Sequence, residues 1–260
     1  MTSHRVLAVN TAADSENKIH DDRVAAEFGF RGGLVPGVTV YGYMTLPVVE
    51  HFGHDWLARG AMTVRFKEPV YEGEEVVIEA EPGGDRLAIS VADARAQAEA
   101  WLAAPSAVAD YDERPLPEPD QRPSASHDSL APGQVLGTIK RTLNLDESHM
   151  SAPLPSAIGP ERFAHPAILL ALANELLVRN VVLGPWIHVS SAVTNYTAVR
   201  DQYPIAVYGK VAAAYERKGH EFVELDVLIT SHGRPAQHVR HTAIWRPRTP
   251  AADFSKDRKA

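Results

Sequence analysis

Asn17-Lys-Ile-His-Asp-Asp-Arg-Val-Ala-Ala-Glu-Phe-Gly-Phe-Arg-Gly-Gly-Leu-Val-Pro-Gly-Val-Thr-Val-Tyr-Gly-Tyr-Met44 is where the chain declares its architecture. The stretch places His20 just ahead of a short helix predicted over Asp22–Phe28, with Asp21 or Asp22 as N-cap and Gly29 as its stop. A Gly-rich loop, Arg31-Gly-Gly-Leu-Val-Pro-Gly37, opens a longer apolar helix over Val38–Phe52, stopped by Gly53. Pro47 lies inside that helix and should bend or split it. Two features point to chemistry. His20 is an imidazole, the usual acid or base near neutral pH, where a polar loop meets a helix start. Gly37 stands at a helix N-terminus, where free N–H groups and the positive dipole end can hold an oxygen that gains negative charge. Each feature has a plainer explanation too: a histidine satisfying turn backbone, and glycine used for its dihedral freedom.

Beyond this stretch the period changes. Ahead of it, a short strand is predicted near Arg5–Val9. Behind it, Ala61–Pro69 alternates, with Met62, Val64 and Phe66 facing one way and Thr63, Arg65 and Lys67 the other, as in a half-buried strand. Val76–Ala80 and Leu87–Val91 read as further strands, and the strand-turn rhythm favours one more within Ala94–Ala109, although alanine there also suits a helix. The stretch from Arg114 to His127 is rich in Pro and Ser and reads as an extended linker. After it the order repeats: a strand within Val135–Leu145, an apolar helix over Pro166–Val182, and strands at Trp186–Tyr196, Ile205–Tyr215, Phe222–Thr230 and Gln237–Trp245. The expectation is a duplicated α+β chain: residues 1–112, a linker over 113–133, a second unit over 134–248 and a polar tail over 249–260.

Composition narrows the function. The chain has 260 residues, 45% of them hydrophobic, enough for a substantial core. Its 26 Lys and Arg against 33 Asp and Glu, without a long basic run, argue against a nucleic-acid groove or a polybasic membrane anchor. The longest apolar run, Ala167–Leu172, is far short of a membrane span, and the first residues carry no signal-like apolar core. A cytoplasmic protein is expected. Cysteine is absent, which excludes disulfides, thiolate metal sites and cysteine nucleophiles. No Gly-x-Ser-x-Gly nucleophile elbow occurs. His51 and His54 have a ligand-like spacing but no third partner, and His238 and His241 should face opposite sides of a strand, so no metal site is expected.

The opening stretch resembles the MaoC-like (R)-specific enoyl-CoA hydratase/dehydratase family. That family carries roughly Asp-x-Asn-Pro-Ile/Leu-His-x-Asp, then Ala and Gly-Phe, then a loop ending in His-Gly-Met. Asn17, Ile19, His20, Asp22, Ala25, Ala26, Gly29, Phe30 and Gly37 fall on this pattern. The resemblance implies a double hotdog, with two antiparallel sheets each wrapped around a long central helix and the two halves pairing edge to edge within one chain. The second half, with Arg162-Phe-Ala-His-Pro166 leading into its helix, resembles a hotdog unit without the motif.

The same resemblance implies reversible hydration or dehydration of an acyl thioester, or of a related carbonyl-conjugated substrate. His20 would be the acid/base, the Gly37 N–H would hold the enolate oxygen, Asp14 or Ser15 would hold the water and Asn17 would orient the loop. The departures are specific: the family's catalytic Asp position is Ser15, its Pro is Lys18, and its His-Gly-Met is Pro36-Gly37-Val38. Asp21 or Asp22 could replace the missing carboxylate. Val35, Pro36, Val38, Tyr41 and Tyr43, with Trp186 and His188 from the second half, are the expected substrate-binding residues. No cofactor is needed, because CoA or a carrier arm would arrive with the substrate. A homodimer is expected. The competing readings are a non-catalytic acyl-binding or assembly subunit and a hotdog acyl-CoA thioesterase.

Overall fold

A computed structural model of the chain describes residues 1–103, 107–147 and 154–248; the expected polar tail over 249–260 lies outside the described residues. The first half contains β1 (Thr2–Leu7), α1 (Asp22–Glu27), α2 (Gly37–Phe52), α3 (Asp55–Arg59), β2 (Gly60–Phe66), β3 (Glu75–Gly83), β4 (Arg86–Val91) and β5 (Ala96–Leu102). The second contains β6 (Ile139–Thr142), the two-residue strands β7 (Ala157–Ile158) and β8 (Phe163–Ala164), α4 (Pro166–Asn180), β9 (Ile187–Asn195), β10 (Pro204–Arg217), β11 (His220–Ser231) and β12 (Arg234–Arg246).

All the long strands belong to one sheet in the order β1-β3-β4-β5-β2-β9-β12-β11-β10-β6. Read outward from the middle, both halves run the same way, so the sheet records the duplication. The two sheets expected from sequence are fused into one. The expected edge-to-edge pairing is the seam, an antiparallel ladder of β2 on β9 from Ala61↔Thr194 to Arg65↔Ser190. Within it Met62 faces Val193, and both side chains are buried. The alternation read in β2 holds: Met62 and Val64 point into the core while Thr63 and Arg65 are exposed.

Helix α2 packs on β1, β3, β4, β5 and β9, α4 packs on β10, β11 and β12, and the two helices touch each other. The predicted caps are in place: Asp21 accepts from the Val24 N–H at the start of α1, and Gly53 ends α2 at positive φ. Pro47 does not split α2, which is continuous from Gly37 to Phe52. Burial of Tyr43, Met44, Pro47 and Val48 outweighs the one ladder bond that proline removes. Helix α4 stops at Asn180, short of the expected Val182. The reason lies in the Pro-rich segment: the Val182 N–H donates to the Pro123 carbonyl, 2.8 Å away, and Ser124 bridges Val182, which draws the chain out of the helix. Helix α4 is tied to its surroundings by Asn180, which accepts from the Gly137 N–H at 2.5 Å and donates to the Gly137 and Leu176 carbonyls. No helix among the described residues is long and apolar enough to cross a membrane.

Because one ladder of backbone bonds joins the halves, they should unfold together. Urea denaturation followed by tryptophan fluorescence and by far-ultraviolet circular dichroism should give coincident single transitions; two separated transitions would show that the seam does not couple them.

Candidate functional site

The loop before α1 folds back on the loop before α2. Asn17 caps a single 3-10 turn, Lys18–His20, by accepting from the Ile19 N–H. Gly33 lies directly against this turn. A β-carbon there would stand 2.0 Å from the His20 carbonyl oxygen, so only glycine lets the two loops close. The Gly33 N–H donates to Asp22 Oδ1 at 2.7 Å, and Asn10 donates to the His20 carbonyl at 2.8 Å. Leu34 and Val35 pair with Tyr71 and Val70, which fixes the approach to α2.

His20 is half-buried, and its ring is held at both nitrogens. Nδ1 lies 2.6 Å from the Leu34 carbonyl oxygen, which can only accept, so Nδ1 carries the proton. Nε2 is then the bare nitrogen and accepts from Asn17 Nδ2 at 3.3 Å. Burial lowers the His20 pKa from 6.5, and the Leu34 hydrogen bond works the other way. The ring is therefore a neutral base at pH 7.

Asn17 is buried and joins this loop to the second half. Its Nδ2 donates to the Trp186 carbonyl at 2.9 Å, and its Oδ1 accepts from the Trp186 N–H at 3.1 Å. The side-chain amide thus copies a β-bridge and fixes the residue just ahead of β9. Two residues on, His188 packs on the start of α2, with its Nδ1 2.9 Å from where a β-carbon on Gly37 would lie. Gly37 and Val38 are half-buried, and their N–H groups have no hydrogen-bond partner among the described residues. Asn17 thus ties the His20 loop to Trp186, and His188, two residues further along the second half, packs on Gly37.

Other expected members stand elsewhere. Asp14 is exposed and makes no bond to His20. Ser15 Oγ donates to the Asn17 carbonyl at 3.3 Å, which steadies the loop. The two other acids are already committed, Asp21 to the α1 cap and Asp22 to Gly33. No carboxylate among the described residues bonds to His20. Tyr41 and Tyr43 are both fully buried in the core, on opposite sides of α2. The Tyr43 hydroxyl accepts from the Val9 N–H at 3.1 Å, and burial raises both phenol pKa values. Val35 and Pro36 are buried as the lead-in to the helix. A cavity of about 350 Å³ lies between the Pro-rich segment and the end of α4, lined by Pro123, Asp128, Gln134 and Asn180 among others. None of the expected site residues lines it. No three His, Asp or Glu side chains among the described residues are grouped to hold a metal ion.

Sequence reading missed Asn10, Gly33 and the partners of His188. The first two carry a signal only through loop closure, and the last only through strand register.

No family model matches the chain, and no curated protein matches it either. Solved structures do. One is a MaoC-like dehydratase, 13% identical, covering 93% of this chain and 97% of that one at a TM-score of 0.57. A conserved hypothetical protein of Mycobacterium tuberculosis with a double hotdog fold is 12% identical, covering 94% and 95% at 0.57. A Lactobacillus plantarum protein provisionally assigned as an oleoyl thioesterase is 13% identical, covering 95% and 96% at 0.52. At such identities the likeness establishes the fold, which is a double hotdog.

Two results should follow from the site's construction. Asn17→Ala strips both bonds from the buried Trp186 backbone and should lower stability by about 2–4 kcal/mol, read as a drop in the urea midpoint. Acid should also destabilise the fold. Burial lowers His165 to about 4 and His241 to about 3, so below pH 6.5 the unfolded chain takes up protons first. Stability should be full above about pH 6.5 and fall steadily toward pH 4, His165 alone accounting for about 3 kcal/mol. Urea midpoints from pH 7.5 to 4.5 measure this, and His165→Gln should flatten the fall.

Proposed function

We propose that this chain binds an acyl thioester, or a related carbonyl-conjugated substrate, at the start of α2 and catalyses its reversible hydration or dehydration. In this reading the hotdog halves are residues 1–112 and 134–248, and the small-molecule substrate lies where they meet. Two observations carry it: His20 Nε2 is unprotonated, and the Gly37 N–H has no acceptor among the described residues. Hydration needs these two functions. A base takes a proton from water as the water oxygen bonds to the β-carbon. A donor holds the carbonyl oxygen as the electron pair moves onto it. The same proton, returned by His20 to the α-carbon, completes the addition without a co-reactant. Asn17 holds the His20 ring in place. The likeness to a MaoC-like dehydratase structure supports this reading at the level of fold.

A second reading has its own observation. Because no carboxylate among the described residues bonds to His20, a protein that binds the acyl group without converting it fits the same site. The thioesterase likeness suggests hydrolysis as a further outcome to measure.

Incubation with crotonyl-CoA and longer enoyl-CoAs separates these readings. Loss of the ultraviolet absorbance of the enoyl thioester without release of free thiol is expected for the wild type, and His20→Ala should lower kcat by about 100-fold or more. Because the His20 pKa is lowered, activity should persist below pH 6.5 before falling. Binding without turnover would favour the second reading, thiol release would favour hydrolysis, and equal rates in wild type and His20→Ala would remove His20 from the reaction.

A further inference from the structure

The turn that carries His20 and the first turn of α2 are separate pieces of chain, and three consecutive residues just past β1 hold them both. The Val9 N–H donates to the Tyr43 hydroxyl on α2 at 3.1 Å. Asn10 Nδ2 donates to the His20 carbonyl at 2.8 Å. Thr11 Oγ1 lies 3.3 Å from Oγ1 of Thr39, the third residue of α2. Tyr43 and Thr39 are buried, so these bonds are shielded from water on the helix side. The segment has a firm base of its own. The Ala8 N–H donates to the Glu74 carbonyl at 2.8 Å, and the Ala8 carbonyl accepts from the Gly73 N–H at 2.9 Å. The Asn10 N–H donates to the Glu72 carboxylate.

The direction of the Asn10 side-chain bonds is fixed by their partners. A backbone carbonyl can only accept, and a backbone N–H can only donate. The end of the amide that faces His20 is therefore the NH2 group, and the end that meets the Ala12 N–H at 3.2 Å is the oxygen. Thr11 and Thr39 need no such assignment, since either hydroxyl can donate to the other. Adjacent Cα atoms are held about 3.8 Å apart by the trans peptide. Of two adjacent residues, then, one grips the turn that carries the base and the other grips the helix that offers the Gly37 N–H. The spacing of those two elements is referred to a covalent link as well as to packing. Gly33 tightens the same spot: a β-carbon there would lie 3.2 Å from Asn10 Nδ2, besides meeting the His20 carbonyl.

We infer that Asn10 and Thr11 are positioning residues for the reaction, Asn10 setting the place of the His20 turn and Thr11 the place of the α2 start, so that base and oxyanion donor keep one spacing. This rests on the reading of the site given under Proposed function. Both residues act through others and take no part in proton transfer. Their importance comes from the steepness of rate with geometry, since a displacement of about 1 Å can cost about 100-fold.

The enoyl-CoA assay tests this, with rates normalised to the butyryl-CoA bound at saturation. Asn10→Ala and Thr11→Val, the second nearly isosteric but without a hydroxyl, should each lower kcat by about 10- to 100-fold with little change in KM. Thr11→Ser, which keeps the hydroxyl, should recover most of the loss. The double variant should fall only slightly below the worse single one, because either loss already frees the spacing; independent structural defects would multiply instead. Wild-type kcat in both single variants, or multiplied losses in the double, with His20→Ala still impaired, overturns the inference and leaves the reading of the site intact. If the wild-type protein does not convert crotonyl-CoA, there is no reaction to position, and the inference fails together with that reading. Should Asn10→Ala not fold, the Thr11 variants decide: unchanged kcat in Thr11→Val, or no recovery in Thr11→Ser, counts against it.

Discussion

The backbone ladder between β2 and β9 is the constraint on which the rest of this structure depends. Five residue pairs join two half-sheets of the same strand order into one sheet. The ladder's register sets which part of the second half lies over the first half's long helix. It brings the beginning of β9 to the beginning of α2, and so places His188 against Gly37. Slipping an antiparallel strand by one residue would turn its side chains to the opposite face. Such a slip would put His188, Ser191 and Val193 on the solvent side. Burial of Met62 against Val193 within the ladder holds the register where it is.

Asn17 is the second fastening, and it works on a smaller scale. One side-chain amide replaces a piece of strand, pairing with both backbone groups of Trp186 while it donates to His20. Loop, helix start and neighbouring half are thereby fixed to a single residue. The loops themselves close because Gly33 has no β-carbon to meet the His20 carbonyl. Geometry at the site is thus set by backbone packing first, and side-chain chemistry is laid over it.

Much of this was legible in the chain because its signals are local. Asp21 caps α1, Gly53 ends α2, and the alternation of Ala61–Pro69 marks a strand whose inner face is known before any partner is. What was not legible depends on contacts between distant segments. The end of α4 is drawn out by the Pro123 carbonyl, the split expected at Pro47 is offset by burial of α2 against the sheet, and α3 and the β7–β8 pair are too short to show a period. The same holds for the site. His20, Asn17 and Gly37 stand out in one short stretch of sequence. The contact of Ser191 with both His188 and His241 is invisible there, because His241 faces Ser191 only through the pairing of β12 with β9. Nor does the sequence show what becomes of the nearby acids: Asp14 is exposed, and Asp21 and Asp22 are spent on local structure.

The account stands or falls on where an acyl thioester carbonyl comes to rest. A crystal structure with a saturated acyl-CoA, which cannot be hydrated, tests this most directly. The thioester oxygen should lie about 3 Å from the Gly37 nitrogen, with the acyl chain entering between the two halves. An acyl chain found instead in the cavity between Pro123 and Asn180, with the start of α2 unliganded, would contradict it.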